Sequence, residues 1–309
     1  MIKRKIFPIV LALILSVALS GCRNVAEQKT GKKIVTSFYP MYIFTKNITK
    51  GTDAEVINMT APQTGCLHDY QLLPKDIKKL EKSDIFIING GGTESFMQKI
   101  YDNNKNLRII TASDGIPLLE EHEEHGHFHD ENEEVGGHLH NSHVWTYIPN
   151  AISEIKNITE GLCAADYKNA GIYRENSEKY IEKLENLHSV FEEKTAELKR
   201  RRIIVTGDAF EYLAEGYGFE IAGVLETEHN SAPSANELKN ICDIAAKGDI
   251  PLFKTPDAPE NAVNTISRET KCPIYELDPF FSGNSERLDA YENAMNKNLN
   301  TLCNALKNN

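Results

Sequence analysis

After its first 21 residues this 309-residue sequence has no long apolar run, which leaves no candidate there for a membrane-spanning helix, an element that takes about 20 apolar residues. Its six cysteines, at 22, 66, 163, 242, 272 and 303, include no CxxC pair. Neither a disulfide framework nor a thiolate zinc motif can be read from that spacing. There is no HExxH helix and no GxSxG nucleophile elbow, so two hydrolase signatures are missing. Positive charge is also short: 34 basic residues face 45 acidic ones, for a formal charge of -11. That balance argues against nucleic acid or anionic lipid as a partner surface.

What the sequence does have begins with a leader. Lys3, Arg4 and Lys5 precede an uncharged apolar run over residues 6–19, and Ser20-Gly21-Cys22 follows. A basic start, a short apolar stretch and small residues mark a cleaved signal at residues 1–21. Small residues directly before a cysteine resemble a bacterial lipobox. On that reading Cys22 becomes the lipidated mature N-terminus, the bilayer holds the protein through that anchor, and residues 22–33 form a polar tether. The leader carries three basic residues and no acidic one, so the mature part is more acidic than the whole.

The 288 residues that remain are enough for about two domains of ordinary size. β-Branched runs at 34–37, 55–58, 85–89 and 107–111 alternate with helical patterns, and a second set follows at 203–206, 220–225, 251–253 and 273–277. Such alternation predicts an α/β fold of two lobes, each with a mainly parallel sheet flanked by helices. Between the sets, Tyr173, Tyr180, Leu184, Leu187, Phe191 and Leu198 recur at steps of three, four or seven and share one helical face. One long helix over 166–200 therefore joins an N-terminal lobe at 34–165 to a C-terminal lobe at 201–309.

Seven of the ten histidines lie within residues 120–143, among eight acidic residues. So few apolar residues cannot support a packed core, and 120–141 reads as a loop inserted in the first lobe. A His-rich tract is a compositional signal for metal. High affinity needs fixed geometry, which makes the tract a collector or sensor rather than the principal site.

In an open α/β sheet ligands gather beyond the carboxyl ends of the strands. His68 lies in Gly65-Cys66-Leu67-His68-Asp69-Tyr70, between the second strand and a helix opening near Pro74; His143 lies where the His-rich tract ends; Asp278 follows the last strand and precedes Pro279. Two imidazoles and a carboxylate are three parts of a tetrahedral zinc site. Taken singly, each has an ordinary structural reading, and Asp-Pro after a strand is usually a turn.

Together with their surroundings they resemble a family, the metal-binding proteins of zinc and manganese ABC transporters that include ZnuA, TroA and PsaA. The likeness rests on residues 65–70, Ser83-Asp84-Ile85-Phe86-Ile87-Ile88-Asn89-Gly90, Ser142-His143-Val144-Trp145, Asp208-Ala209-Phe210-Glu211-Tyr212-Leu213 with Tyr217-Gly218, and Leu277-Asp278-Pro279. It implies a single metal in the cleft between lobes, held by His68 and His143 from the first and Asp278 from the second. It also implies delivery of that ion to an ABC transporter permease.

The sequence departs from the family at one position. A further ligand, His or Glu, ordinarily stands beside the Asp-Ala-Phe motif, and here that place is Gly207. Glu226, at the end of the neighbouring strand, is the favoured replacement; Glu228, Asp208, His229 and a water are the others. Oxygen ligands suit Mn2+ and imidazole suits Zn2+, and the His-rich tract tips the expectation to Zn2+, with Mn2+ the alternative. Cys66 is read as a small apolar residue. Two other function classes stand beside metal import: a zinc hydrolase, which would use an open metal position, and a surface adhesin with a structural metal. The sequence offers no evident general base for the former.

Overall fold

The computed structural model describes residues 31–60, 70–97, 99–100, 107–120, 140–226, 233–248, 250–284 and 286–307. The leader, Cys22, Cys66, His68, the tract over 121–139, Glu228 and His229 lie outside the described residues.

The first lobe holds β1 (Lys33–Thr36), α1 (Tyr39–Ile48), β2 (Glu55–Asn58), α2 (Pro74–Leu80), β3 (Ile85–Ile88) and β4 (Arg108–Thr111). A small ribbon, β5 (Leu119–Glu120) and β6 (His140–Asn141), comes next, and α3 (Ile148–Ala165) ends the lobe. The long helix α4 (Ala170–Ala196) then leads to β7 (Arg202–Thr206), α5 (Glu211–Tyr217), β8 (Glu220–Leu225) and α6 (Ala235–Ala246). The chain finishes with β9 (Leu252–Lys254), α7 (Glu260–Thr270), β10 (Ile274–Glu276) and α8 (Ala290–Leu306).

Both four-stranded sheets are parallel throughout, ordered β2-β1-β3-β4 and β8-β7-β9-β10. The same order in each places the reversal of strand sequence between β1 and β3 in one lobe and between β7 and β9 in the other. Ligands bind beyond the carboxyl ends of strands at such points.

Strand alternation explains the layering, because successive side chains leave opposite faces. In β1 and β3, Ile34, Ile85 and Ile87 join the large central cluster, while Val35, Phe86 and Ile88 join an outer one. In β7, Ile203 and Val205 face the centre and Ile204 an outer cluster. Buried on both faces, these strands read as continuous apolar runs. The central cluster contains Phe38 and Trp145 as well as Phe210, Leu277 and Leu299, so the two sheets share one core.

The helix expected over 166–200 is narrower. Asp166 closes α3, its amide donating to Leu162 O, and its carboxylate accepts from Asn169 Nδ2 and Tyr173 Oη, each at 2.8 Å. That knot delays α4 to Ala170. The expected face is the buried one, with Tyr173, Tyr180, Leu184, Leu187 and Phe191 all inside. At about 1.5 Å per residue α4 runs roughly 40 Å. No described helix is long and apolar enough to cross a membrane.

Candidate metal site

The carboxyl ends of the two sheets converge. Tyr39, just past β1, packs its ring 4.8 Å from that of Phe280, beyond β10. Trp145 donates from Nε1 to Pro279 O at 2.9 Å, and Tyr291 on α8 donates to Trp145 O at 2.7 Å. Trp145 is two residues after His143 and Pro279 one after Asp278, so the segments bearing these two expected ligands are tied together.

His143 is fully buried. Its ring meets those of Trp145 at 5.4 Å and Phe281 at 5.3 Å, apolar walls that fix the imidazole plane. Its Nδ1 lies 3.0 Å from Asn141 Oδ1 and 3.2 Å from Asp208 Oδ2. A metal-ligating histidine characteristically has its second ring nitrogen bound to a carboxylate or carbonyl in this way.

Asp278 is clamped from α8. Its amide donates to Asn298 Oδ1 and its carbonyl accepts from Asn298 Nδ2, both at 2.8 Å. The Asp278 carboxylate accepts the Phe280 amide at 2.8 Å, the local turn bond that Asp makes readily, and Phe280 takes the left-handed conformation at φ 61°. Burial raises the Asp278 pKa, opposed by the Phe280 amide and by Lys297, and Glu276 raises it further. A cation would reverse that trend by favouring the charged carboxylate.

Gly207, at the place where the resemblance implied a further ligand, adopts φ 67°, a region that side-chain-bearing residues enter rarely. Its amide donates to Leu225 O at 3.0 Å. The parallel register pairs Thr206 with Leu225, so the next step out of the sheet sets Gly207 beside Glu226. Neighbouring strands lie about 4.8 Å apart, a gap that a glutamate side chain covers.

The structure thus gathers His143, Asp208 and the Asp278 segment, and sets Glu226 beside Gly207. Among the described residues no group of three or more His, Cys, Asp or Glu side chains is placed to hold a metal. His68, expected to complete the set, lies outside them. Three residues that the sequence reading did not single out anchor the site, namely Asn141, Asn298 and Tyr212. Tyr212 Oη accepts the Leu119 amide at 2.9 Å and donates to Asn141 O at 2.6 Å, pinning both strands of the β5–β6 ribbon to α5. The signals available were an Asn two residues before a histidine and the place of Tyr212 in the motif that follows Asp208.

Residues 34–305 match the family model described as zinc-uptake complex component A, periplasmic. The zinc-binding lipoprotein AdcA of Streptococcus pneumoniae strain R6 is 30% identical over 302 residues, covering 95% of this chain and 60% of AdcA; the chain therefore spans well under the full length of that relative. The high-affinity zinc uptake system protein ZnuA of Bacillus subtilis is 29% identical, with 93% of this chain and 92% of ZnuA aligned. The crystal structure of the Zn(II)-bound ZnuA-like domain of S. pneumoniae AdcA superposes with a TM-score of 0.74 at 26% identity, covering 90% of this chain and all of that domain.

Proposed function

The chain belongs to the periplasmic zinc-uptake component A family, and from that membership we propose that it captures Zn2+ outside the cytoplasm and passes it to an ABC importer. The observation that carries the reading is the buried His143 imidazole, braced at Nδ1 by Asp208 and Asn141 and tied through Trp145 to the Asp278 segment. His143 and Asp278 contribute one imidazole and one carboxylate. His68 supplies the second imidazole and Glu226 the second carboxylate, in the place that Gly207 leaves vacant. Two nitrogens and two oxygens suit tetrahedral Zn2+. The cation is cargo, so the site must hold it and also let it go. Lipid on Cys22 keeps the protein at the outer face of the cell membrane, within reach of the permease.

Calorimetric titration of metal-stripped protein tests this reading against its rivals. One Zn2+ is expected per chain, bound more tightly than Mn2+ and without turnover of ester or peptide substrates. His143→Ala and Asp278→Ala should each weaken binding by more than the roughly 10–100-fold that loss of an outer partner costs. Deletion of 121–139 should leave the principal site in place. High-affinity binding that survives in both alanine variants would reject the site, and chelator-sensitive hydrolysis would restore the hydrolase reading.

A further inference from the structure

The surroundings of His143 determine more than its position. Asn141 Nδ2 donates to Asp208 O at 2.9 Å and to Glu211 Oε2 at 3.0 Å. A carbonyl and a carboxylate can only accept, so the amide orientation of Asn141 follows from its partners rather than from choice. Its Oδ1 must face the other way, where it accepts the His143 backbone amide at 2.8 Å and approaches Nδ1 at 3.0 Å. The second atom near Nδ1 is the Asp208 carboxylate at 3.2 Å, again an acceptor. Two acceptors at one ring nitrogen require that nitrogen to carry the proton.

We propose that Asp208 and Asn141 are positioning residues that hold metal-free His143 in its Nδ1–H tautomer, so that Nε2 presents its lone pair to the metal. In this role Asp208 braces the ring through Oδ2 and is a positioning residue rather than a ligand. This rests on the capture reading above for its purpose, though not for the tautomer. Asp208 follows β7 while His143 belongs to the segment leading into α3, so the brace comes from the opposite lobe. Zn2+ affinity then depends on the two lobes being docked, and drawing the β7–α5 turn away from His143 lowers affinity without removing a ligand.

The test joins a spectroscopic readout to a binding one. Two-bond proton–nitrogen correlation spectra of 15N-histidine-labelled, metal-free protein report which ring nitrogen is protonated, and competition with a chromogenic chelator reports Zn2+ affinity. Wild-type His143 should be wholly the Nδ1–H form. Asp208→Ala should give mixed tautomers and about 10–100-fold weaker binding at unchanged stoichiometry. Asp208→Asn keeps an acceptor oxygen and should hold the tautomer with an intermediate loss, which guards against a folding defect in the alanine variant. An Nε2–H wild type, or an Asp208→Ala protein with unaltered tautomer and affinity, would overturn the proposal. So would loss of the bound ion in Asp208→Asn as complete as in His143→Ala, since that marks a ligand. The tautomer is read without metal, so a chain that failed to bind Zn2+ would sink the capture reading while the spectrum still decided the Nδ1–H assignment.

Discussion

Glu154, on α3, is fully buried, and neither carboxylate oxygen meets a hydrogen-bond partner among the described residues. Burial first and the neighbouring Glu94 second push its pKa well above the ordinary range. Glu94 is raised by burial too, against hydrogen bonds from the Asn89 and Gly90 amides. A carboxyl whose folded pKa exceeds its unfolded value of about 4.3 takes up a proton on folding. Its stabilisation is fully present below that unfolded value and is lost as pH rises through the folded one, by about 1.4 kcal/mol per pH unit. Glu154→Gln should therefore be more stable than wild type at pH 7 and lose less stability between pH 5 and pH 7 in denaturant titrations at a series of pH values. A less stable variant with an unchanged pH slope would mean an ionised, paired Glu154. Part of the site was legible residue by residue in the sequence. His143 and Asp278 stood out because a histidine ends the acidic tract and an Asp-Pro ends a strand. Asp278 also makes the turn that its ordinary reading implies, since its carboxylate accepts the Phe280 amide. Asn141 and Asn298 did not stand out, because an asparagine's meaning lies in which partners the fold brings to it.

Among the elements, α8 does most to fix the carboxylate side of the site. Asn298 is almost fully buried and meets both the amide and the carbonyl of Asp278. Asn298→Ala leaves those backbone groups unpartnered, at a cost of about 1–3 kcal/mol each when buried. Chemical unfolding should show that loss, and Zn2+ titration a weakening of about 10–100-fold; unaltered affinity would show that Asp278 is held by other contacts. Leu184 on α4 is fully buried, and Leu184→Ala should cost about 2–5 kcal/mol in the same unfolding assay. The apolar period made α4 legible, and the β-branched runs did the same for all eight sheet strands to within a residue or so at each end. The β5–β6 ribbon was not legible: two residues per strand carry no periodicity, and Tyr212 from the other lobe holds both. Helix α3 was legible in principle, since Ile148, Ala151, Ile152, Ile155, Ile158 and Leu162 are buried on one face, but its start directly beside the histidine motif masked the pattern.

For the whole molecule, the repeated strand order and the shared central core explain why His143, Asp208 and the Asp278 segment meet where the carboxyl ends of the two sheets converge. Each lobe offers the carboxyl edge of a parallel sheet, and Trp145, Tyr291 and Pro279 join the two edges through buried hydrogen bonds. The fold class, the long helix and the family were legible because apolar period and motif order survive in a single sequence. At Gly207 the sequence showed only the lack of a side chain where the resemblance implied a ligand. Parallel register, through which Leu225 O receives the Gly207 amide, is what brings Glu226 alongside. Whether zinc sits between the lobes is decided most directly by anomalous scattering at the zinc edge from crystals of the Zn2+-loaded protein. One strong peak is expected between the lobes, about 2.0–2.2 Å from His143 Nε2 and from an Asp278 carboxylate oxygen. A cleft with no peak, or zinc held only by histidines of the acidic tract, would contradict it.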